Sequence, residues 1–129
     1  MNTPLMHALL VGTGGFAGAL LRYGLGGLVH RQFPLTTFPL GTLSVNLLGC
    51  LLIGIVAGLA ESRQLFSPEL RVLILIGLLG GFTTFSTFGF ETIAMLRDSE
   101  YLGAAANVGL HVIAGLLLVW AGYALTTVR

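Results

Sequence analysis

Residues 72–90 read VLILIGLLGGFTTFSTFGF and contain no Asp, Glu, Lys or Arg. A helix needs about 20 predominantly apolar residues to cross the hydrocarbon core of a bilayer, so this run is long enough for a membrane span. Its centre differs from an ordinary span because two adjacent glycines are followed by hydroxyl and phenyl side chains. The run therefore predicts a membrane helix that carries polar groups at its middle.

Three further charge-free runs cover residues 5–21, 32–60 and 102–128. The first is expected to continue past Arg22 toward Val29, and the second to begin near Leu40, because residues 33–39 (FPLTTFP) contain two prolines and read as a loop. Charged residues make up only 9% of the 129-residue chain, whereas about a quarter of a soluble domain is charged. We therefore predict an all-α membrane protein with four transmembrane helices in a single domain, residues 1–129, surrounded by lipid.

Composition and spacing exclude several classes of protein. The chain has no Lys, a formal net charge of +1 and no basic run, so no nucleic-acid partner is expected. Its single cysteine, Cys50, lies in an apolar stretch and is expected to be a small buried apolar residue. The sequence has neither a serine, histidine and acid arrangement typical of a catalytic triad nor a phosphate-binding glycine loop, so the chain is not predicted to be an enzyme.

Positive charges are almost evenly divided between the two sides of the predicted bundle. Four spans place the N-terminus, the second connection and the C-terminus on one side, which holds Arg63, Arg71 and Arg129. The other side holds Arg31, Arg97 and, near the end of helix 1, Arg22. Because an excess of Arg and Lys orients a membrane protein, this small bias predicts a weakly fixed orientation and permits a pair of oppositely oriented copies.

Residues 80–88 (GGFTTFSTF) allow two interpretations. Adjacent glycines and β-branched threonines weaken a helix, and backbone freed at membrane depth needs protein, water or an ion as a partner, which favours a helix break lining a polar cavity. Alternatively, the helix is continuous and its hydroxyl groups bond carbonyls one turn earlier. Glycines four residues apart elsewhere are interpreted as positions of close helix packing: Gly14 and Gly18, Gly54 and Gly58, Gly77 and Gly81.

The nine residues 80–88, followed by Glu91 and Thr92, resemble the signature of the Fluc/CrcB family of fluoride channels. Residues 39–42 (PLGT) and 46–49 (NLLG) resemble that family's second-helix motif, and the resemblance covers essentially the whole chain. It implies an antiparallel, dual-topology homodimer in which helix 3 is broken at its centre, with two anion pores and a structural Na⁺ at the dimer centre. It also implies passive export of fluoride across the plasma (inner) membrane of a bacterium or archaeon.

The resemblance further implies roles for individual residues. Backbone carbonyls of Gly80 and Thr83 would bind Na⁺, since carbonyl oxygens suit a hard cation. The rings of Phe85 and Phe88 would present their partly positive edges to the anion, and Asn46 would donate from its amide. Three hydroxyl groups are further candidate donors, those of Ser86, Thr84 and Thr87.

Four other residues are candidate pore or pore-adjacent positions. Arg22 either extends to the membrane interface or faces the aqueous vestibule, and these two readings are compatible. Glu91 is expected beside the pore, since a carboxylate on the conduction path would repel an anion. His111 stands where the family pattern has serine or asparagine, and Asn107 stands where tyrosine or asparagine is usual. His111 is either a hydrogen-bonded interhelical residue or a pore residue whose protonation makes conduction pH-dependent.

Two other classes of membrane protein fit a chain of this size. A small multidrug-type proton-coupled transporter also forms a four-helix, dual-topology dimer, but it requires a central carboxylate in helix 1, and residues 5–29 contain none. An assembly or scaffold subunit without transport accounts for the glycines but leaves the polar run in helix 3 without a use. Fluoride conduction is therefore the function that we predict.

Overall fold

Four helices that are long and apolar enough to cross a membrane make up most of the structure, a computed structural model that describes residues 2–128. Helix α1 covers Thr3–Gln32, and α2 covers Leu40–Ser62. The third span, Pro68–Arg97, contains α3 (residues 68–82) and α4 (Phe85–Arg97), and the fourth span is α5 (Tyr101–Thr127). The prediction of an all-helical chain with four such helices is confirmed. The first and last positions of the predicted 1–129 domain, including the charge of Arg129, lie outside the described residues.

The connections between helices are short. Residues 33–39 form the loop between α1 and α2, as predicted from the two prolines. Helix α1 extends beyond the predicted Val29, and its last turn carries His30 and Arg31, whose position at a helix C-terminus complements the helix dipole. Arg71 fixes the connection between α2 and α3, because its Nη2 donates to the Ala60 carbonyl at 2.8 Å.

Glycines bring α1 into direct backbone contact with α3. A Cβ atom added at Gly14 would lie 2.5 Å from the Leu73 carbonyl oxygen, and one added at Gly18 would overlap the backbone of Leu78. The same close approach joins α2 to α5, where a Cβ atom at Gly122 would lie 2.5 Å from the Leu51 carbonyl oxygen. Close packing of this kind holds helices together where lipid supplies no hydrophobic drive. These contacts agree with the interpretation of the glycine pairs as packing positions.

Two segments of the spans have π-helical hydrogen bonding, Val72–Leu78 in α3 and Leu110–Ala114 in α5. A π-helical turn widens the helix by one residue per turn, and such turns occur frequently at functional sites. The segment in α5 contains His111. It therefore alters the direction of that side chain relative to a regular helix.

Regular helix stops at Phe82 in the third span and resumes at Phe85. Between them, Thr83 (φ −86°, ψ 157°) and Thr84 (φ −148°, ψ 112°) have an extended backbone. We refer to these two residues as the 83–84 interruption. The Thr83 N–H still donates to the Leu79 carbonyl at 3.1 Å, but the Thr84 N–H makes no such helical bond and needs another partner within an apolar span.

Candidate functional site

Asn46 of α2 supplies hydrogen-bond partners for Thr84 in the 83–84 interruption. Its side-chain oxygen Oδ1 accepts from the Thr84 N–H at 2.8 Å, and its Nδ2 donates to the Thr84 carbonyl at 3.0 Å. The Asn46 side chain is only 8% exposed. One carboxamide therefore satisfies both backbone groups of Thr84, as a peptide group of a neighbouring strand would.

Three hydroxyl groups cluster where α4 begins. Thr84 caps the helix, because its Oγ1 accepts from the Thr87 N–H at 3.3 Å. The same oxygen lies 3.0 Å from the Thr87 Oγ1 and 3.4 Å from the Ser86 Oγ. The structure thus brings together all three hydroxyl residues that the sequence analysis named.

The backbone carbonyls of Gly80 and Thr83 lose the donors that a continuous helix would give them. In such a helix each carbonyl accepts from the N–H four residues later. For Gly80 that donor is the Thr84 N–H, which is instead donated to Asn46. For Thr83 it is the Thr87 N–H, which is instead donated to the Thr84 hydroxyl. The two residues predicted to bind a cation are therefore among those whose carbonyls lack these helical partners.

Two phenylalanine rings lie just after the interruption. Phe88 is 9% exposed, and its ring meets that of Phe85 edge to face, with centroids 5.5 Å apart and planes at 64°. Phe88 also packs against the His111 ring at a centroid distance of 4.2 Å. Phe85, in contrast, is 83% exposed on the surface of the single chain.

Helix α5 is tied to the site through His111 and Asn107. His111 Nε2 lies 3.1 Å from Asn46 Nδ2, and His111 Nδ1 lies 2.9 Å from the Asn107 carbonyl oxygen. Asn107 is completely buried, and its Nδ2 donates to the Thr92 hydroxyl at 2.9 Å. His111 and Asn107 therefore belong to one hydrogen-bonded group that reaches α2 and α4.

A first cavity of about 350 Å³ lies beside the interruption. Its lining combines apolar side chains with Asn46, Thr84, Phe85, Phe88 and His111. His111 makes interhelical hydrogen bonds and also lines this cavity, and its predicted role in a pore stays a prediction.

Two further cavities continue from the first. A second cavity, of about 400 Å³, shares Thr84 with the first and is lined by Arg22 and Thr87. A third, of about 240 Å³, shares Thr42 with the second and is lined by Glu91. Arg22 is thus half-buried beside the hydroxyl cluster. The three cavities form a series along the polar face of the third span.

Glu91 lies at the end of this series and is held by α2. The Thr42 hydroxyl donates to Glu91 Oε1 at 2.7 Å. The other carboxylate oxygen, Oε2, is buried and has no hydrogen-bond partner among the described residues. Glu91 lines the third cavity and not the first, and its predicted place beside a pore stays a prediction.

Two residues of the site were not identified from the sequence. Thr42 was quoted only as part of a motif, and Cys50, predicted to be simply buried, is half-buried and lines the first cavity. A signal was present, because residues 42, 46 and 50 follow one another at intervals of four and so share one face of α2. With Asn46 as a reference, that spacing identifies both neighbours.

The fold and the site define a small polytopic membrane protein with three cavities along one span, each of which has polar side chains in its lining. The sequence model of the family described as CrcB-like protein, Camphor Resistance (CrcB), matches residues 9–123. The chain belongs to this family, and the resemblance stated from the sequence is confirmed.

Several relatives carry the name fluoride-specific ion channel FluC. The one from Methylobacillus flagellatus is 46% identical over 121 residues, which cover 94% of each chain. The one from Nitratidesulfovibrio vulgaris (strain DSM 19637 / Miyazaki F) is 47% identical over 118 residues, which cover 92% of this chain and 94% of the relative. Both relatives are named as channels, which confirms the prediction that the chain is not an enzyme. The family and the four apolar helices identify an integral, multi-pass membrane protein.

Proposed function

We propose that the chain is a fluoride-selective ion channel that exports cytoplasmic fluoride by passive electrodiffusion. The observation that carries the proposal is the first cavity, where an amide, hydroxyl groups and aromatic rings converge, and no arginine or carboxylate is among the described residues that line it. The names of the relatives support the same ion. HF crosses membranes, dissociates in a less acidic cytoplasm and leaves the anion behind, so a pore and an inside-negative potential are sufficient for export.

This lining suits a small and strongly hydrated anion. Such an ion enters a narrow passage only if donors and ring edges replace its water, and it leaves only if no group holds it too tightly. Partly positive ring edges of Phe85 and Phe88 attract an anion without a full charge. Arg22 lines the neighbouring second cavity, where it raises the local anion concentration without lying in the first.

We propose further that the 83–84 interruption lies at the centre of the third span in the membrane and that two copies assemble as an antiparallel, dual-topology homodimer with two pores. Phe85 is 83% exposed, and Gly80 and Ser86 are also exposed in the single chain. Unpaired carbonyls facing lipid would cost several kcal/mol each, so a second copy covering this face is favoured. The even division of arginines between the two sides permits opposite insertion of the copies.

The carbonyls of Gly80 and Thr83 would hold a structural Na⁺ where the two interruptions meet. Their oxygen atoms are hard ligands, and the helical donors that would otherwise occupy them are used elsewhere. The cation would supply a positive charge that satisfies carbonyls from both subunits. We place this assembly in the plasma (inner) membrane of a bacterium or archaeon.

Purified protein reconstituted in liposomes loaded with KF is expected to release fluoride when a potassium ionophore is added. Release follows because the ionophore removes the opposing voltage and the cavity lining replaces the hydration of fluoride. Liposomes loaded with KCl provide the control and are expected to retain chloride. Chloride release, or retention of both ions, would contradict fluoride selectivity, and a proton-gradient requirement would favour a transporter.

Sodium is expected to stabilise the dimer beyond the effect of ionic strength. A ligand present at about 100 times its Kd stabilises the state that binds it by about 2.7 kcal/mol. The dimer fraction in detergent should therefore fall when Na⁺ is replaced by N-methylglucamine and recover when Na⁺ is returned. Equal dimer fractions in the two cations would remove the central Na⁺ from the proposal.

A further inference from the structure

We infer that His111 is a positioning residue whose neutral ring accepts one amide hydrogen of Asn46, and that protonation of this ring turns the acceptor into a second donor that retains an anion. The inference rests on the proposed fluoride conduction and deepens it. It concerns the first cavity, which both side chains line.

The orientation of the Asn46 amide is fixed by Thr84. The Thr84 N–H can only donate and lies 2.8 Å from Oδ1, while the Thr84 carbonyl can only accept and lies 3.0 Å from Nδ2. If the amide oxygen and nitrogen of Asn46 were exchanged, its NH₂ group would face the Thr84 N–H and its oxygen would face the Thr84 carbonyl, and neither pair could form a hydrogen bond. Nδ2 carries two hydrogens, so one remains, and His111 Nε2 lies 3.1 Å away.

The contacts of the two ring nitrogens of His111 each indicate the same tautomer. Nδ1 lies 2.9 Å from the Asn107 carbonyl oxygen, which can only accept, so Nδ1 carries the hydrogen. Nε2 faces an amide donor, so in the neutral ring it presents its lone pair. Asn107, whose carbonyl accepts from Nδ1, is itself held in place because it is completely buried and its side chain is bonded to Thr92.

Both hydrogens of the Asn46 amide therefore already have acceptors. An anion in the first cavity competes with His111 Nε2 for one of them, and this competition keeps binding weak enough for release. Protonation places an N–H at Nε2, so donors from α2 and α5 converge on one point. An anion there accepts a charge-assisted hydrogen bond, which is about twice as strong as a neutral one, and it leaves more slowly.

The other titratable groups near His111 are few. Helix α2 contributes Cys50 to the same cavity, and α4 contributes Glu91, whose carboxylate is bonded to Thr42 and lines the third cavity instead. Helix α3 lines the cavity with uncharged residues, and its charged side chains, Glu69 and Arg71, lie in its first turn. Histidine is the side chain that ordinarily changes charge between pH 5 and 8. His111 is therefore the group in the first cavity that acidification charges.

Fluoride efflux from proteoliposomes with equal pH on both sides is expected to slow about tenfold or more between about pH 7.5 and about pH 5.5. His111→Gln keeps a side-chain acceptor but cannot gain a proton in this range. The efflux of this variant should therefore differ by less than about twofold between the two pH values. His7→Gln is a matched control that should keep the response of the original chain. Leakage of HF is subtracted with protein-free liposomes.

Efflux of the unaltered chain that does not slow, or that slows equally in His111→Gln, would overturn the inference. Solid-state ¹⁵N NMR of histidine-labelled protein in lipid provides a second test that needs no transport. At neutral pH the resonances lost in His111→Gln should be those of a ring with hydrogen on Nδ1, and hydrogen on Nε2 would overturn the positioning role. Absence of fluoride release from every variant at both pH values would contradict the proposed channel, whereas pH-independent release would contradict only the role of His111.

Discussion

Replacing Asn46 with leucine is expected to slow fluoride efflux about a hundredfold or more. Leucine has a similar branched shape but no hydrogen-bonding group, so the Thr84 N–H loses its partner and the Thr84 carbonyl loses the bond from Nδ2. A buried polar group left unsatisfied costs about 1 to 3 kcal/mol, a range that includes the 2.7 kcal/mol or so that corresponds to a hundredfold rate. Efflux from KF-loaded proteoliposomes measures the effect.

Thr13→Val is the matched control for Asn46→Leu. It also removes a polar group from a span, but the Thr13 hydroxyl donates to the Leu9 carbonyl of its own helix at 2.8 Å and touches no cavity described above. Its efflux should equal that of the unaltered chain. An Asn46→Leu protein that conducts at the same rate would show that the 83–84 interruption does not depend on this side chain.

Phe88→Ile is expected to slow efflux to a similar extent, about a hundredfold, without dissociating the dimer. Isoleucine fills most of the space but has no ring edge, so it cannot offer partial positive charge to an anion. The neighbouring rings also lose support, because Phe88 packs on both Phe85 and His111. Phe85→Ile should slow efflux for the same electrostatic reason, and its exposure predicts a smaller effect on the stability of the single chain.

Phe90→Ile is the control that distinguishes the loss of any phenyl ring in α4 from the loss of Phe85 or Phe88. Phe90 lies two residues after Phe88 in α4, and it is 67% exposed on the surface of the chain. Its variant should conduct normally. Normal efflux in Phe85→Ile and Phe88→Ile would remove both rings from the conduction path, and a slow Phe90→Ile would point to a general defect in α4.

The four spans could be predicted because their signal is local. Each is a charge-free run of sufficient length, and the prolines of residues 33–39 separate the first from the second. The π-helical turns in residues 72–78 gave no such signal, since VLILIGL has the composition of an ordinary span. They depend on how α3 packs against α1, which local composition does not report.

The residues of the site could be predicted from the sequence, but the hydrogen bonds that join them could not. The polar run identified Thr84, Ser86 and Thr87, and the family resemblance added Asn46, yet neither indicated that Asn46 pairs with the backbone of Thr84. That pair joins residues 38 positions apart, and its geometry depends on the rotation of α2 about its axis. For His111 the sequence could not decide between an interhelical residue and a pore residue. In the structure its ring bonds to α2 and also lines a cavity, so one position is compatible with both roles.

The length of α1 has a consequence for the lipid around the protein. Its 30 residues extend about 45 Å, whereas hydrocarbon is about 30 Å thick, and the 23 residues of α2 extend about 35 Å. A helix that is longer than the hydrocarbon is thick can tilt, and its tilt changes when the bilayer becomes thinner or thicker. Because Gly14 and Gly18 rest directly on the backbone of α3, a change in tilt would be transmitted to the residues that precede Thr83. We therefore expect bilayer thickness to act on the centre of the molecule.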